Sequence, residues 1–171
     1  MTHRKRGLVA GILFLAVALT PVAAVAGPLE DGMDAHKSGD DATAFRLWRP
    51  LTELNLLGAA LHFHAIMYEN GHGVPQDYAE AVKWYRLAAE QDYVFAQHYL
   101  GVMYLEGLGV PPDDVQALLW FNLAASRFAP GERHDRAVRG RDLVAERMTP
   151  AQIAEAQKLA RQWWKRRKQY E

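Results

Sequence analysis

The sequence predicts an all-α protein assembled from tandem helical hairpins, and three observations carry that prediction. First, residues 68–89 recur at 104–125. A shift of about 36 superposes Tyr68 on Tyr104, Gly71 on Gly107, Gly73 on Gly109, Asp77 on Asp113, Ala81 on Ala117, Trp84 on Trp120 and Ala88 on Ala124, a period typical of repeat architectures. Second, each copy reads as a helix stopped by glycine, a Gly-x-Gly-Val-Pro loop, and a second helix opened by aspartate. Third, Ala81, Trp84, Leu87 and Ala88 fall at three- and four-residue spacings and so share one helix face. Such a hairpin cannot bury that face alone, so the units must stack.

Taken in order, the chain opens with Arg4-Lys5-Arg6, an apolar run over 8–19, then Pro21 and the small residues Ala24 and Ala26. This is the order of a secretory signal, with cleavage expected after Ala26 and residues 1–26 removed; the alternative is an uncleaved inner-membrane anchor over 8–26. Export predicts a periplasmic or secreted protein. The chain has no cysteine, which excludes a lipoprotein anchor and any disulfide framework. Residues 27–56 read as a degenerate capping hairpin: a short helix over 29–37, a stop at Ser38-Gly39, and a second helix started by Asp40 or Asp41. Asp41 and Trp48 are placed one period before Asp77 and Trp84, and Pro50 should bend or end that second helix.

Residues 57–93 and 94–129 are the two complete units. Gly71 takes the left-handed position that ends a helix, Asp77 with Glu80 forms an N-cap, and Gly101 stands where the earlier copy has Ala65. Small residues at these places let helices approach closely, while Trp84 and Trp120 fill space between hairpins. Residues 130–171 form a closing pair of helices, the last opened by Thr149-Pro150-Ala151-Gln152, a capping box with proline in the first turn.

The run Tyr68-Glu69-Asn70-Gly71-His72-Gly73-Val74-Pro75-Gln76-Asp77, followed by Ala81, Trp84 and Ala88-Ala89, resembles the Sel-1-like repeat, a relative of the tetratricopeptide hairpin. The resemblance implies a right-handed α/α solenoid of about four hairpins and a non-catalytic scaffold or adaptor role, in bacteria often at the cell envelope. It also implies that Ala60, His64, Ala65 and Tyr68 serve packing, although His64 stands where the family has leucine. That leaves Phe63, Met67, Asn70, Tyr99, Met103 and Glu106, on the first helices of the two units, to read a protein or peptide partner on the concave face.

Charge is segregated. Residues 27–130 hold 6 Lys and Arg against 14 Asp and Glu, whereas 131–171 hold 11 against 6. An acidic body makes nucleic acid a poor partner. The basic end concentrates in Trp163-Trp164-Lys165-Arg166-Arg167-Lys168. Cations there complement the helix macrodipole, but adjacent tryptophans cannot both face inward, so Trp164, Lys165, Arg166, Arg167 and Lys168 offer a second contact surface for an anionic partner or membrane headgroups.

Other chemistry finds little support. Gly-x-Gly lacks the third glycine of a dinucleotide fingerprint and follows a helix. His62 and His64 lie two apart, the wrong spacing for a helical metal pair, and with His72 and His98 they read as packing or surface residues. The only serines, Ser38 and Ser126, sit in no nucleophile motif. No enzyme activity, cofactor or metal is expected.

Overall fold

The computed structural model describes residues 22–53 and 57–169, with side chains from Gly27 onward. The apolar run of the expected export signal lies outside the described residues. Among them are eight helices and no strand: α1 (Val22–Lys37), α2 (Asp41–Glu53), α3 (Gly58–Asn70), α4 (Tyr78–Glu90), α5 (Val94–Glu106), α6 (Asp114–Ala125), α7 (Glu132–Glu146) and α8 (Pro150–Arg167). Consecutive helices pair as α1/α2, α3/α4 and α5/α6, and each hairpin packs on the next. This is the all-α solenoid expected. The last two helices depart from the hairpin scheme, because α7 and α8 both pack on α6 and share few contacts with each other.

Local signals act as read. Asp77 and Asp113 each accept a hydrogen bond from the backbone N–H three residues on, at 3.0 Å in both units, and Gly71 and Gly107 are left-handed, with φ of 71° and 72°. Thr149 and Gln152 form the full capping box. The second glycine of each loop has a different task. A Cβ on Gly109 would lie 2.2 Å from the Tyr78 carbonyl oxygen, and one on Gly73 would lie 2.9 Å from that of Asp41. Gly-x-Gly therefore ends one helix with its first glycine, and with its second lays the loop on the start of the preceding unit's second helix.

Several expectations are corrected. α1 begins at Val22, not Leu29, and passes through Pro28; Ala26, the expected cleavage position, lies within it. α2 does not end at Pro50 but continues to Glu53. Pro50 and the Arg46 one turn earlier are exposed, so water can satisfy the carbonyl that the missing N–H leaves unpaired. The degenerate first unit also sits one residue out of the register that the sequence suggested. Asp40, not Asp41, caps α2, accepting from the Thr43 N–H at 3.1 Å. Trp48 thereby aligns with Tyr85 rather than with Trp84, and both are fully buried.

The core is continuous across the hairpins. One cluster joins Leu61, Tyr85, Leu100, Trp120 and Leu123 with Trp163 of α8; another joins Phe121 to Val144, Met148 and Ala156 under α7 and α8. Phe121 is held between glycines of two helices: a Cβ on Gly101 would come within 2.7 Å of its ring, and one on Gly140 within 2.8 Å. α8 is fastened at its far end. Arg167 pairs with Asp92 at 2.7 Å and donates to the Glu90 carbonyl at 2.9 Å, and Asp92 also faces Arg127 at 2.9 Å.

Candidate partner-binding clefts

The first helices of the repeats do not carry an open groove of the composition expected. Met67 and Met103 are fully buried and belong to the core. Phe63 stacks on Trp48 with ring centroids 5.0 Å apart, and Tyr99 on Tyr85 at 5.3 Å, so both are engaged between hairpins. Asn70, whose amide donates to the Ile66 carbonyl, and Glu106 stay exposed at helix ends. The periodicity that makes these residues look available is that of helix packing, because Phe63 and Tyr99 are one repeat apart and each meets the buried aromatic of the preceding second helix.

Two clefts of common construction lie elsewhere. The first, about 450 Å³, is lined by Phe45, Arg49, Thr52, Glu53, His64, Tyr68 and Trp84. The second, about 490 Å³, is lined by Arg86, Glu90, Gln116, Leu119 and Trp120, with Leu159, Trp163, Arg166 and Arg167 brought by α8. With Asp40 matched to Asp77, Arg49 and Glu53 occupy the places of Arg86 and Glu90. Each cleft thus has an arginine and a glutamate one helical turn apart on one wall, and the repeat tryptophan of the next unit on another.

Their electrostatics differ. In the first cleft Arg49 Nε donates to Glu53 at 2.8 Å, closing the two charges on each other. In the second, Arg86 donates to the Tyr104 hydroxyl instead, and α8 adds two more guanidinium groups. Arg167 is committed to Asp92, whereas Arg166 is exposed and makes no ion pair among the described residues. Three arginines stand against Glu90 around the indoles of Trp120 and Trp163, a setting suited to carboxylates on an apolar or aromatic backbone. No sequence motif flagged Arg86 or Glu90. The recurrence of Arg and Glu at Arg49 and Glu53 was a usable signal, hidden by the one-residue register error.

The basic tail divides in two. Trp163 is 6% exposed and in the core. Trp164 is half-buried, edge-on to Trp163 at 5.0 Å with Arg127 5.6 Å over its ring. Lys165, Arg166 and Lys168 are exposed. Among the described residues no helix is long and apolar enough to cross a membrane.

Of the repeat signature, Ala81, Ala88, Ala117 and Ala124 are fully buried and Trp120 is 7% exposed, while Tyr68 and Trp84 are half-buried along the first cleft and Tyr104 is half-buried where Arg86 donates to it. The histidines pack. His62 is ringed by Phe63, Tyr85, Tyr93, Phe95 and Tyr99, and burial pushes it down to about 3. His64 lies between Phe45 and Trp84 and is pushed down to about 4, first by burial and then by Arg49. His98, half-buried on Phe121, is lowered for the same first reason.

Fold and clefts together define an α-solenoid built for contact along its length. The chain carries two tandem Sel1 repeats: the Sel1 repeat model matches residues 58–93 and 94–127. Two solved structures share the fold. One is a protective antigen from uropathogenic Escherichia coli strains displaying an SLR fold, 27% identical with a TM-score of 0.74, the match covering 81% of this chain and 29% of that one. The other is a Sel1 repeat protein from Oxalobacter formigenes, also 27% identical, with a TM-score of 0.63 over 75% of this chain and 51% of that one. The chain therefore spans about a third and about half of those proteins' lengths. No curated protein matches the sequence. Proteins with this repeat generally serve as non-catalytic interaction scaffolds.

Proposed function

We propose that this protein is a scaffold of the cell envelope that docks an acidic segment of a partner protein in the cleft between α4, α6 and α8. The observation that carries the proposal is the composition of that cleft: Arg86, Arg166 and Arg167 around Trp120 and Trp163, with Glu90 as the one lining carboxylate among the described residues. The nearly buried edges of the two indoles give the cleft a rigid apolar floor, and arginines at its rim read carboxylates directionally. The first cleft, of the same build one unit earlier, extends the docking line along the solenoid. The export signal read in residues 1–26 supports the location.

A second reading has the exposed cations of the tail meeting anionic headgroups. It is less favoured, since Trp163 is in the core and Trp164 is covered by Arg127, leaving no indole to insert. The test is affinity capture from envelope extract by the parent and by an Arg86→Glu, Arg166→Glu double variant. The parent should retrieve a protein that the variant loses, and raised ionic strength should weaken its hold. Equal recovery by both rejects the cleft, and sedimentation of the parent with anionic vesicles, with no protein retrieved, would favour the second reading.

A further inference from the structure

Where the capping hairpin meets the first complete repeat, three residues of metal-binding type converge that the scaffold role does not use. His36 is in the last turn of α1, Asp41 is the first residue of α2, and His72 lies between the two glycines of the α3–α4 loop. One ligand atom from each lies within 4.8 Å of the other two. His36 Nδ1 is 2.6 Å from Asp41 Oδ1, and the rings of His36 and His72 are 5.6 Å apart. His72 Nδ1 is buried without a hydrogen-bond partner. Asp41 is spare because Asp40 does the capping. The loop carrying His72 is seated by Gly73, which approaches the Asp41 carbonyl too closely to accept a side chain.

The next junction of the solenoid is an internal control. Asp40 N–H bonds to the Ala35 carbonyl and Asp77 N–H to that of Tyr68, so His36 corresponds to Glu69 and Asp41 to Tyr78. His72 corresponds to Leu108, since each follows the glycine that ends its helix. The repeat scaffold thus needs none of the three, and the set is particular to the first junction. Two imidazoles and one carboxylate suit a borderline divalent ion such as zinc, with a fourth position left to water or a partner's side chain. Bonds of about 2.1 Å place tetrahedral ligands about 3.4 Å apart. The 2.6 Å His36–Asp41 contact must open by about 0.8 Å and the widest gap, at most 4.8 Å, must narrow by up to about 1.4 Å, and His36 and Asp41, with side chains 30% and 25% exposed, have room to turn.

We propose that His36, Asp41 and His72 form a binding site for a single divalent transition-metal ion of the zinc class, tying α1 to the loop of the first repeat. The test uses the untagged full chain in a His3→Ala background, so that the amino-terminal histidine does not compete. The chain is stripped with chelator and titrated with Co²⁺ for visible d–d absorption and with Zn²⁺ against a chromophoric chelator. One equivalent should bind, Mg²⁺ and Ca²⁺ should not displace it, and the melting temperature should rise with Zn²⁺. His72→Leu, which installs the residue the next repeat carries, should keep the helical circular dichroism. It should weaken Zn²⁺ by at least the 10- to 100-fold, roughly, that loss of an outer-shell partner costs, and Asp41→Asn should do likewise if His72→Leu does not fold. His134→Ala, on α7, should change nothing. Absence of a saturable Co²⁺ spectrum, or affinity unmoved by both site variants, would show that His36 and Asp41 form only a hydrogen-bonded pair against which His72 packs.

Discussion

His64 shows how one residue can be at odds with its own repeat. The equivalent place in the next unit is Leu100, fully buried, whereas His64 puts an imidazole 2% exposed between Phe45 and Trp84. With His62 it is held neutral, the two pushed from an ordinary 6.5 to about 4 and about 3. Between pH 6.5 and those values the unfolded chain binds protons that the folded chain refuses, so stability is full above pH 6.5 and is lost as pH falls. By pH 5 each histidine should cost about 2 kcal/mol, from one and a half pH units below 6.5 at 1.36 kcal/mol each. Urea midpoints at pH 7 and pH 5 should differ markedly for the parent and by about half as much for His64→Leu, and an unchanged difference would mean that His64 is not the buried neutral base described. The sequence shows His64 as a departure from the pattern. It does not show the consequence, because the desolvation comes from Phe45 and Trp84, which belong to other helices.

Among elements, the Gly-x-Gly loop was the most legible in the sequence, although the close approach of its second glycine to the preceding unit was not. Gly71 and Gly109 share φ of 71°, but a Cβ on Gly71 meets nothing nearer than 3.4 Å, while one on Gly109 would strike the Tyr78 carbonyl at 2.2 Å. Gly71→Ala should therefore cost only the left-handed penalty, about 1 kcal/mol. Gly109→Ala must also lift the loop off α4 and should cost roughly 3 kcal/mol or more. Denaturant midpoints for the two variants check this, and equal costs would show that the loop does not bear on the preceding unit. Capping and stop signals act within a few residues and so were readable, as with Asp77, Asp113, Gly107 and Thr149. The register of the first hairpin was not, because adjacent Asp40 and Asp41 offer the same cap, and only the loop resting on Asp41 decides between them. The same one-residue ambiguity hid Arg49 and Glu53 as counterparts of Arg86 and Glu90, and with them the repeated cleft. For the first-helix residues, periodicity alone could not separate a face turned to a partner from one turned to the preceding hairpin.

At the scale of the whole molecule, the solenoid is acidic along its body and basic at its end, and the two are joined at Asp92. This residue is the one non-glycine with positive φ among those described, at 67°, which turns the chain from α4 into α5 and aims its carboxylate at the end of α8. Its side chain is 15% exposed and meets Arg167 at 2.7 Å and Arg127 at 2.9 Å; the Arg127 contact is an ion pair too oblique for a hydrogen bond. Removing one member of a partly buried charge cluster leaves the others uncompensated, which costs more than an exposed pair contributes. Because α8 supplies Leu159, Trp163, Arg166 and Arg167 to the second cleft, detaching its end should open that cleft without unfolding the repeats. Asp92→Ala is accordingly expected to speed amide hydrogen exchange in residues 159–168 at least tenfold, a local destabilisation of about 1.4 kcal/mol. Residues 94–106 should stay protected, and capture of the cleft's partner should fall in parallel. Asp92→Gly relieves the backbone strain but still lacks the carboxylate. If it restored α8 protection, the strained turn rather than the charge would be what holds the helix, and the cleft would not depend on the electrostatic join between body and tail.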